Sequence, residues 1–259
     1  IAGIFILLVS QSRVGVLSFM LVVAFLSIEG AKRLAQRVHA RAAKSSIPAH
    51  GRYQKILIST GVLILFLSIY LAAAIGLFFL GARADKRIAR ALQQDPRAAG
   101  GFLELTNQFA FAERVVYWDT GLKIFGDHPL FGVGLGNSGF YFPQKMPVFG
   151  WGLWEISLLF NYGSNLANTK SLWVRILAET GLAGFAIFLA WMYLLWRSNR
   201  LSLQADEIIL RVWGLSGLIV LISFITEGFS LDSFALPYFW VAMGLSSAAA
   251  SLARQRVIS

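Results

Sequence analysis

The chain contains no cysteine. Disulfides, thiolate metal sites and cysteine nucleophiles are therefore excluded. It has only three histidines, His39, His50 and His128, too few and too scattered for a histidine-rich metal centre. Charge is scarce as well: 14% of the 259 residues are Asp, Glu, Lys or Arg, against about 25% in an ordinary soluble domain. A soluble globular fold suits that shortage badly. What is abundant is apolar surface, with 57% hydrophobic residues including 21 Phe, 8 Trp and 7 Tyr. Such a composition belongs to a bilayer protein with aromatic anchors at the interfaces. A net charge of +10 would suggest nucleic acid as partner in a soluble protein. Here it points to positively charged cytoplasmic loops and to membrane lipids, with no nucleic acid.

Long apolar runs set the organisation. The first, Ile1 to Val9, is too short for a hydrocarbon core that needs roughly 20 residues. No basic segment precedes it, so it is not a signal peptide. It reads as the end of a cut helix in a chain whose earlier helices are missing. Full spans are predicted over Val14 to about Gly30, Ile56 to Leu80, Ser171 to Trp196, Trp213 to Phe229 and Phe234 to Leu252. All must be helical, because an open strand edge cannot be satisfied in lipid.

Lys and Arg orient them. Loop 29–55 carries Lys32, Arg33, Arg37, Arg41, Lys44, Arg52 and Lys55 against the single acid Glu29. Loop 197–211 carries Arg197, Arg200 and Arg211, and the tail Arg254 and Arg256. The turn 227–234 has Glu227 and Asp232 and no basic residue. Residues 29–55, 197–211 and the C-terminus are thus expected inside. Residues 10–13, 81–170 and 227–234 are expected outside. The predicted fold is all-α: one transmembrane helix bundle over 1–259 with a long extracytoplasmic loop, 81–170, containing short helices.

A loop of about 90 residues is functional or disordered, and the aromatic density of 102–162 argues against disorder. Residues 84–94 read as an amphipathic helix lying at the interface. Thr106 to about Phe125 reads as a second helix, with Asp119 and Lys123 paired at i,i+4 and a stop at Gly126-Asp127-His128-Pro129. The following Gly132-Val133-Gly134-Leu135-Gly136 resembles a nucleotide-binding turn, but no strand precedes it and it is expected outside the cell. Two readings stay open. It is a tight turn where backbone packs closely, or Gly134 and Gly136 help form a backbone cradle for an anionic group. Trp151 and Trp154 stand beside glycines further on, where they can stack on sugars or anchor at the interface.

Several segments, taken in order, resemble one family. They are Ser10-Gln11-Ser12-Arg13 before a span, Glu113-Arg114 with Trp118 in a loop helix, His128-Pro129-Leu130-Phe131-Gly132-Val133-Gly134-Leu135-Gly136-Asn137, and Leu177-Ala178-Glu179-Thr180-Gly181-Leu182-Ala183-Gly184. Together they look like the O-antigen ligase and polymerase superfamily, from about Ser10 to Phe188. The resemblance implies a polytopic enzyme of the bacterial inner membrane, working on its periplasmic face. Such enzymes take a glycan from an undecaprenyl-diphosphate carrier. Ligases pass it to a lipid A-core sugar, polymerases to another carrier-linked repeat, and related enzymes to proteins. Neither a metal nor another cofactor is implied.

Individual residues follow from both lines. Arg13 lies at the outer end of its span, where an unpaired Arg costs roughly 2.5–3.5 kcal/mol and needs a partner. The resemblance makes that partner the lipid diphosphate, which a guanidinium grips bidentately. A carboxylate or a helix end is the plainer partner. Arg114 corresponds by order to the family's second arginine, or forms a loop salt bridge. Many relatives have a histidine, held to be the general base, nine residues before the Glu of the AE.G motif. Counting back nine from Glu179 reaches Lys170. Four readings are open for Lys170: a base of lowered pKa, a further cation on the diphosphate with Glu155 or Glu179 as base, a mark of a divergent member with weak or different activity, or an interfacial anchor. Arg175 and Glu179, at i,i+4, form a mutual salt bridge and face the inferred site. His128 serves capping or packing. Non-catalytic rivals are a transporter or flippase, whose intramembrane charges and glycine breaks look similar, and a structural membrane subunit.

Overall fold

The computed structural model describes residues 13–44, positions within 60–76, and residues 112–163 and 166–258. Among them helices alternate with turns and no strand occurs. The chain divides into two units, 1–89 and 90–259.

In the first unit, helix α1 runs from Arg13 to Lys44, and its stretch Val14–Leu34 is long and apolar enough to cross a membrane. The helix continues past the expected boundary at Gly30. Ala31, Lys32, Arg33, Leu34 and Gln36 are strong helix formers, and the first proline after them is Pro48. Lys32, Arg33, Arg37, Arg41 and Lys44 therefore ride on the helix itself, and Lys32 pairs with Glu29 at 3.2 Å. Within the expected span 56–80, the described positions are helical. The expected segments 1–9 and 84–94 lie outside the described residues.

In the second unit, α5 (Leu172–Leu203), α6 (Ile208–Glu227) and α7 (Pro237–Ile258) pack against one another. Leu172, Ile176, Phe188, Met192, Leu195, Leu221, Phe224, Phe239 and Met243 form their core. Aromatic rings dominate it: Phe224 and Phe239 stack with centroids 3.9 Å apart, and Trp191 stacks on Trp240 at 5.6 Å. The bundle exterior is apolar too, with Ile187, Leu194, Val241 and Leu252 exposed, as suits helices solvated by lipid. Helices α5 and α6 also meet the length and apolarity of a membrane span. Helix α7 opens on Pro237, a residue pre-set for the first helical position, rather than at Phe234. It is long enough to cross a membrane but richer in Ala and Ser, and is not among the three helices of the described residues that are apolar enough to be candidate spans.

The expected inner loop 197–211 shrinks to 204–207, leaving Arg197 and Arg200 on α5 and Arg211 on α6. Residues 197–203 contain neither Pro nor Gly, and Asn199 satisfies its amide within the helix by donating to the Leu195 carbonyl at 2.8 Å.

The segment before α5 folds as a small cap. It comprises α2 (Ala112–Asp127), α3 (Ser138–Lys145), a 3₁₀ turn (Val148–Gly152) and α4 (Trp154–Tyr162). Val116, Tyr117, Ile124, Phe142, Met146, Ile156 and Ala167 bury one another here, with Ala178 of α5 completing the cluster. Helix α2 ends at the expected glycine-proline stop, and its Asp119–Lys123 pair forms at 2.7 Å. Its expected first turn, 106–111, lies outside the described residues. The elements α3, the 3₁₀ turn and α4 have no counterpart in the sequence reading, since each is only one to three turns long.

Candidate functional site

Two of the sequence motifs meet. Helix α5 breaks at Gly181, where φ is 63° and ψ −164°. A break in a helix frees carbonyls on one side and amides on the other. Segment 129–134 takes both. Val133 and Gly134 donate their N–H groups to the Ala178 and Glu179 carbonyls at 3.0 and 2.8 Å. Leu182 and Ala183 donate to the Pro129 and Leu130 carbonyls at 2.8 and 3.1 Å. Glycine is required on both sides of this clasp: a Cβ on Gly132 would overlap the Glu179 carbonyl carbon, and one on Gly181 the Leu130 carbonyl. The close-packed turn is thus the reading the geometry supports for Gly132 and Gly134. An anion cradle at Gly134 is not formed, because that N–H is committed to α5. Gly136 also has a positive φ, 80°, but a Cβ there would meet open space.

The clasp fixes the first two turns of α5, and with them Arg175 and Glu179. Glu179 is 2% exposed. Its Oε1 accepts from the Ser138 hydroxyl at 2.8 Å and its Oε2 from Arg175 Nε at 3.1 Å. Arg175 also donates to the Asp232 carbonyl at 2.6 Å. The expected salt bridge is therefore present, and it serves to tie α5 to α3 and to the turn after α6. Both Glu179 oxygens are occupied, so the expected contact of Glu179 with substrate is not supported by this geometry.

Immediately before α5, Lys170 is the one non-glycine residue with positive φ, 51°, among the described residues. L-residues avoid that region for steric reasons. Its neighbours hold it there. The Lys170 N–H donates to Asn168 Oδ1 at 3.3 Å, and the Lys170 carbonyl accepts from Arg114 Nη1 at 3.5 Å. Arg114 donates as well to the Ser230 carbonyl at 3.3 Å. Leu172 N–H reaches the Gly228 and Leu231 carbonyls, each at 2.7 Å. Helix α2, the start of α5 and turn 228–232 are thereby fastened at one place.

The Lys170 ammonium then projects toward α4 and α2. It lies 3.4 Å from Glu155 Oε1 and 5.7 Å from the Tyr117 ring centroid. The buried Tyr117 hydroxyl donates to the same Glu155 Oε1 at 3.5 Å. Burial first, and the Glu155 charge second, push the Tyr117 phenol well above its ordinary range, so it stays a neutral donor. Both charged side chains remain partly exposed, 38% for Lys170 and 48% for Glu155.

Of the sequence candidates, the structure brings together Arg114 and Lys170, with Arg175 and Glu179 following on α5. Arg13 belongs to the other unit, and its side chain lies outside the described residues. His128 packs edge-on against Tyr141 at 5.8 Å, the expected packing role. The reading missed Tyr117, Ser138, Ser230 and Asp232, whose contacts span 38 to 116 residues of sequence. Asp232 buries one carboxylate oxygen that has no hydrogen-bond partner among the described residues. No cluster of three metal-ligating side chains forms among them.

Compared with known protein families, the chain matches the O-antigen ligase family over residues 1–189. No curated protein and no solved structure matches it.

Proposed function

The chain belongs to the O-antigen ligase family, and from that premise we propose that it transfers or polymerises a glycan carried on undecaprenyl diphosphate. The site would lie on the periplasmic face of a bacterial inner membrane, since Arg197 and Arg200 lie at the end of α5 remote from Lys170, the positive-inside pattern. An acceptor hydroxyl, of lipid A-core or of another carrier-linked repeat, attacks the anomeric carbon. The carbon–oxygen bond to the diphosphate breaks, and negative charge grows on the leaving group. Preorganised cations in a poorly hydrated site stabilise such charge strongly. Lys170 is the proposed cation at that point. Arg114 adds charge behind it and holds its peptide. Arg13 is a further proposed diphosphate ligand, on the family resemblance alone.

One observation carries this reading: Lys170 keeps a disfavoured backbone conformation, secured by Arg114 and Asn168. Backbone strain that the surroundings maintain clusters at functional sites. A transporter reading would draw on the break in α5, since broken helices line transport paths. Here the freed carbonyls and amides flanking the break are taken by residues 129–134, which leaves them unavailable to a cargo.

The role of Lys170 is tested by substitution in reconstituted protein. As a diphosphate cation, Lys170→Arg keeps most of the transfer activity. Lys170→His loses at least tenfold near neutral pH, where an imidazole of pKa about 6.5 is mostly uncharged. The reverse order would make Lys170 the base, because Arg cannot give up its proton. Full activity in Lys170→Ala would remove it from the site.

A further inference from the structure

Transfer to a hydroxyl needs a proton acceptor, and in this chain the position expected to hold a histidine is Lys170. We propose that Glu155 is the general base that takes the proton of the acceptor hydroxyl. The inference rests on the transfer reading above and names the group that reading leaves unassigned.

Geometry separates Glu155 from Glu179, Asp119, Asp127 and Glu227. Glu179 is buried, with both oxygens occupied. Asp119 is paired with Lys123 at 2.7 Å and Asp127 with Lys145 at 2.5 Å. Glu227 accepts from the Tyr238 hydroxyl. Glu155 is the carboxylate that meets Lys170, and both of its contacts, with Lys170 and with Tyr117, fall on Oε1. Among the described residues no hydrogen bond or ion pair reaches Oε2. One oxygen is thus anchored, which orients the carboxylate, and the other is open to a hydroxyl.

The setting suits the task. Glu155 sits in the first turn of α4. The charged and titratable groups facing it are Lys170 from the segment before α5 and Tyr117 from α2, with Glu113 of α2 acting on Tyr117 in turn. The preceding residue, Trp154, is 76% exposed. In the step itself the acceptor O–H bond breaks and its proton passes to Glu155 Oε2. The freed oxygen pair forms the bond to the anomeric carbon, and the pair of the breaking carbon–oxygen bond leaves on the diphosphate. Lys170, held against the same carboxylate, is placed to meet that charge.

The test uses the whole chain in proteoliposomes with an undecaprenyl-diphosphate-linked oligosaccharide as donor. The same oligosaccharide and lipid A-core serve as acceptors in separate arms. Glu155→Gln should lower kcat roughly 100-fold or more, the usual worth of a general base, with KM for the donor changed less than threefold. The rising acid limb of the wild-type kcat–pH profile should disappear. Glu155→Asp should recover part of the rate and restore the limb. If Glu155 only tethers Lys170, Glu155→Gln will instead raise the donor KM and keep kcat and the limb, which overturns the proposal. A wild-type chain that transfers to neither acceptor overturns the transfer reading itself. An active wild type with an equally active Glu155→Gln overturns only the base.

Discussion

Lys170 holds its charge on a backbone that glycine would adopt more easily. A side chain in the left-handed region costs about 1–2 kcal/mol, and its ion pair with Glu155, half open to solvent, returns at most about 1 kcal/mol. Lys170→Gly should therefore leave thermal stability unchanged or raise it by up to about 1 kcal/mol while transfer activity falls at least tenfold. Thermal denaturation in detergent, read beside an activity assay, checks both. A variant that is less stable and fully active would mean that Lys170 is there for packing. The sequence placed Lys170 by a count from Glu179 and paired Glu179 with Arg175, because both relations are local. It left the base beside a cationic Lys170 open between Glu155 and Glu179. Glu155 lies 15 residues before Lys170, on a helix too short to be anticipated, and Tyr117 a further 38 before Glu155, on a helix that was expected but with no local link to Lys170.

At the scale of elements, α5 and the turn 129–134 make one unit, since each satisfies the other's freed backbone groups. Gly132→Ala and Gly181→Ala combine a positive φ with overlap against backbone that cannot move aside. Each should cost roughly 3 kcal/mol or more, beyond the 1–2 kcal/mol of the left-handed conformation alone. Gly136→Ala, with the same sign of φ and open space around it, should cost only about 1–2 kcal/mol. Melting temperatures of the three variants decide this; equal losses would mean the clasp contributes nothing. The tight turn was legible from its glycines. The break in α5 was not, because glycine is common in membrane helices and the residues that fill the gap come from about 50 positions earlier in the chain.

For the whole molecule, apolar runs announced the long helices, and the structure extends each of α1, α5, α6 and α7 at one end. Helices α1 and α5 continue to Lys44 and Leu203, because the basic residues that mark the membrane boundary are also good helix formers. The three-helix bundle and the cap on α5 then present Arg114, Lys170 and Glu155 at the same end. In the proposed orientation that end faces the periplasm. The most direct measurement follows the carrier's anomeric bond. Purified chain in proteoliposomes, given an undecaprenyl-diphosphate-linked oligosaccharide and an acceptor, should release undecaprenyl diphosphate in step with glycan transferred, and Lys170→Ala should abolish both. Movement of the intact lipid-linked oligosaccharide between leaflets, with no release of undecaprenyl diphosphate, would contradict the account and make the protein a transporter.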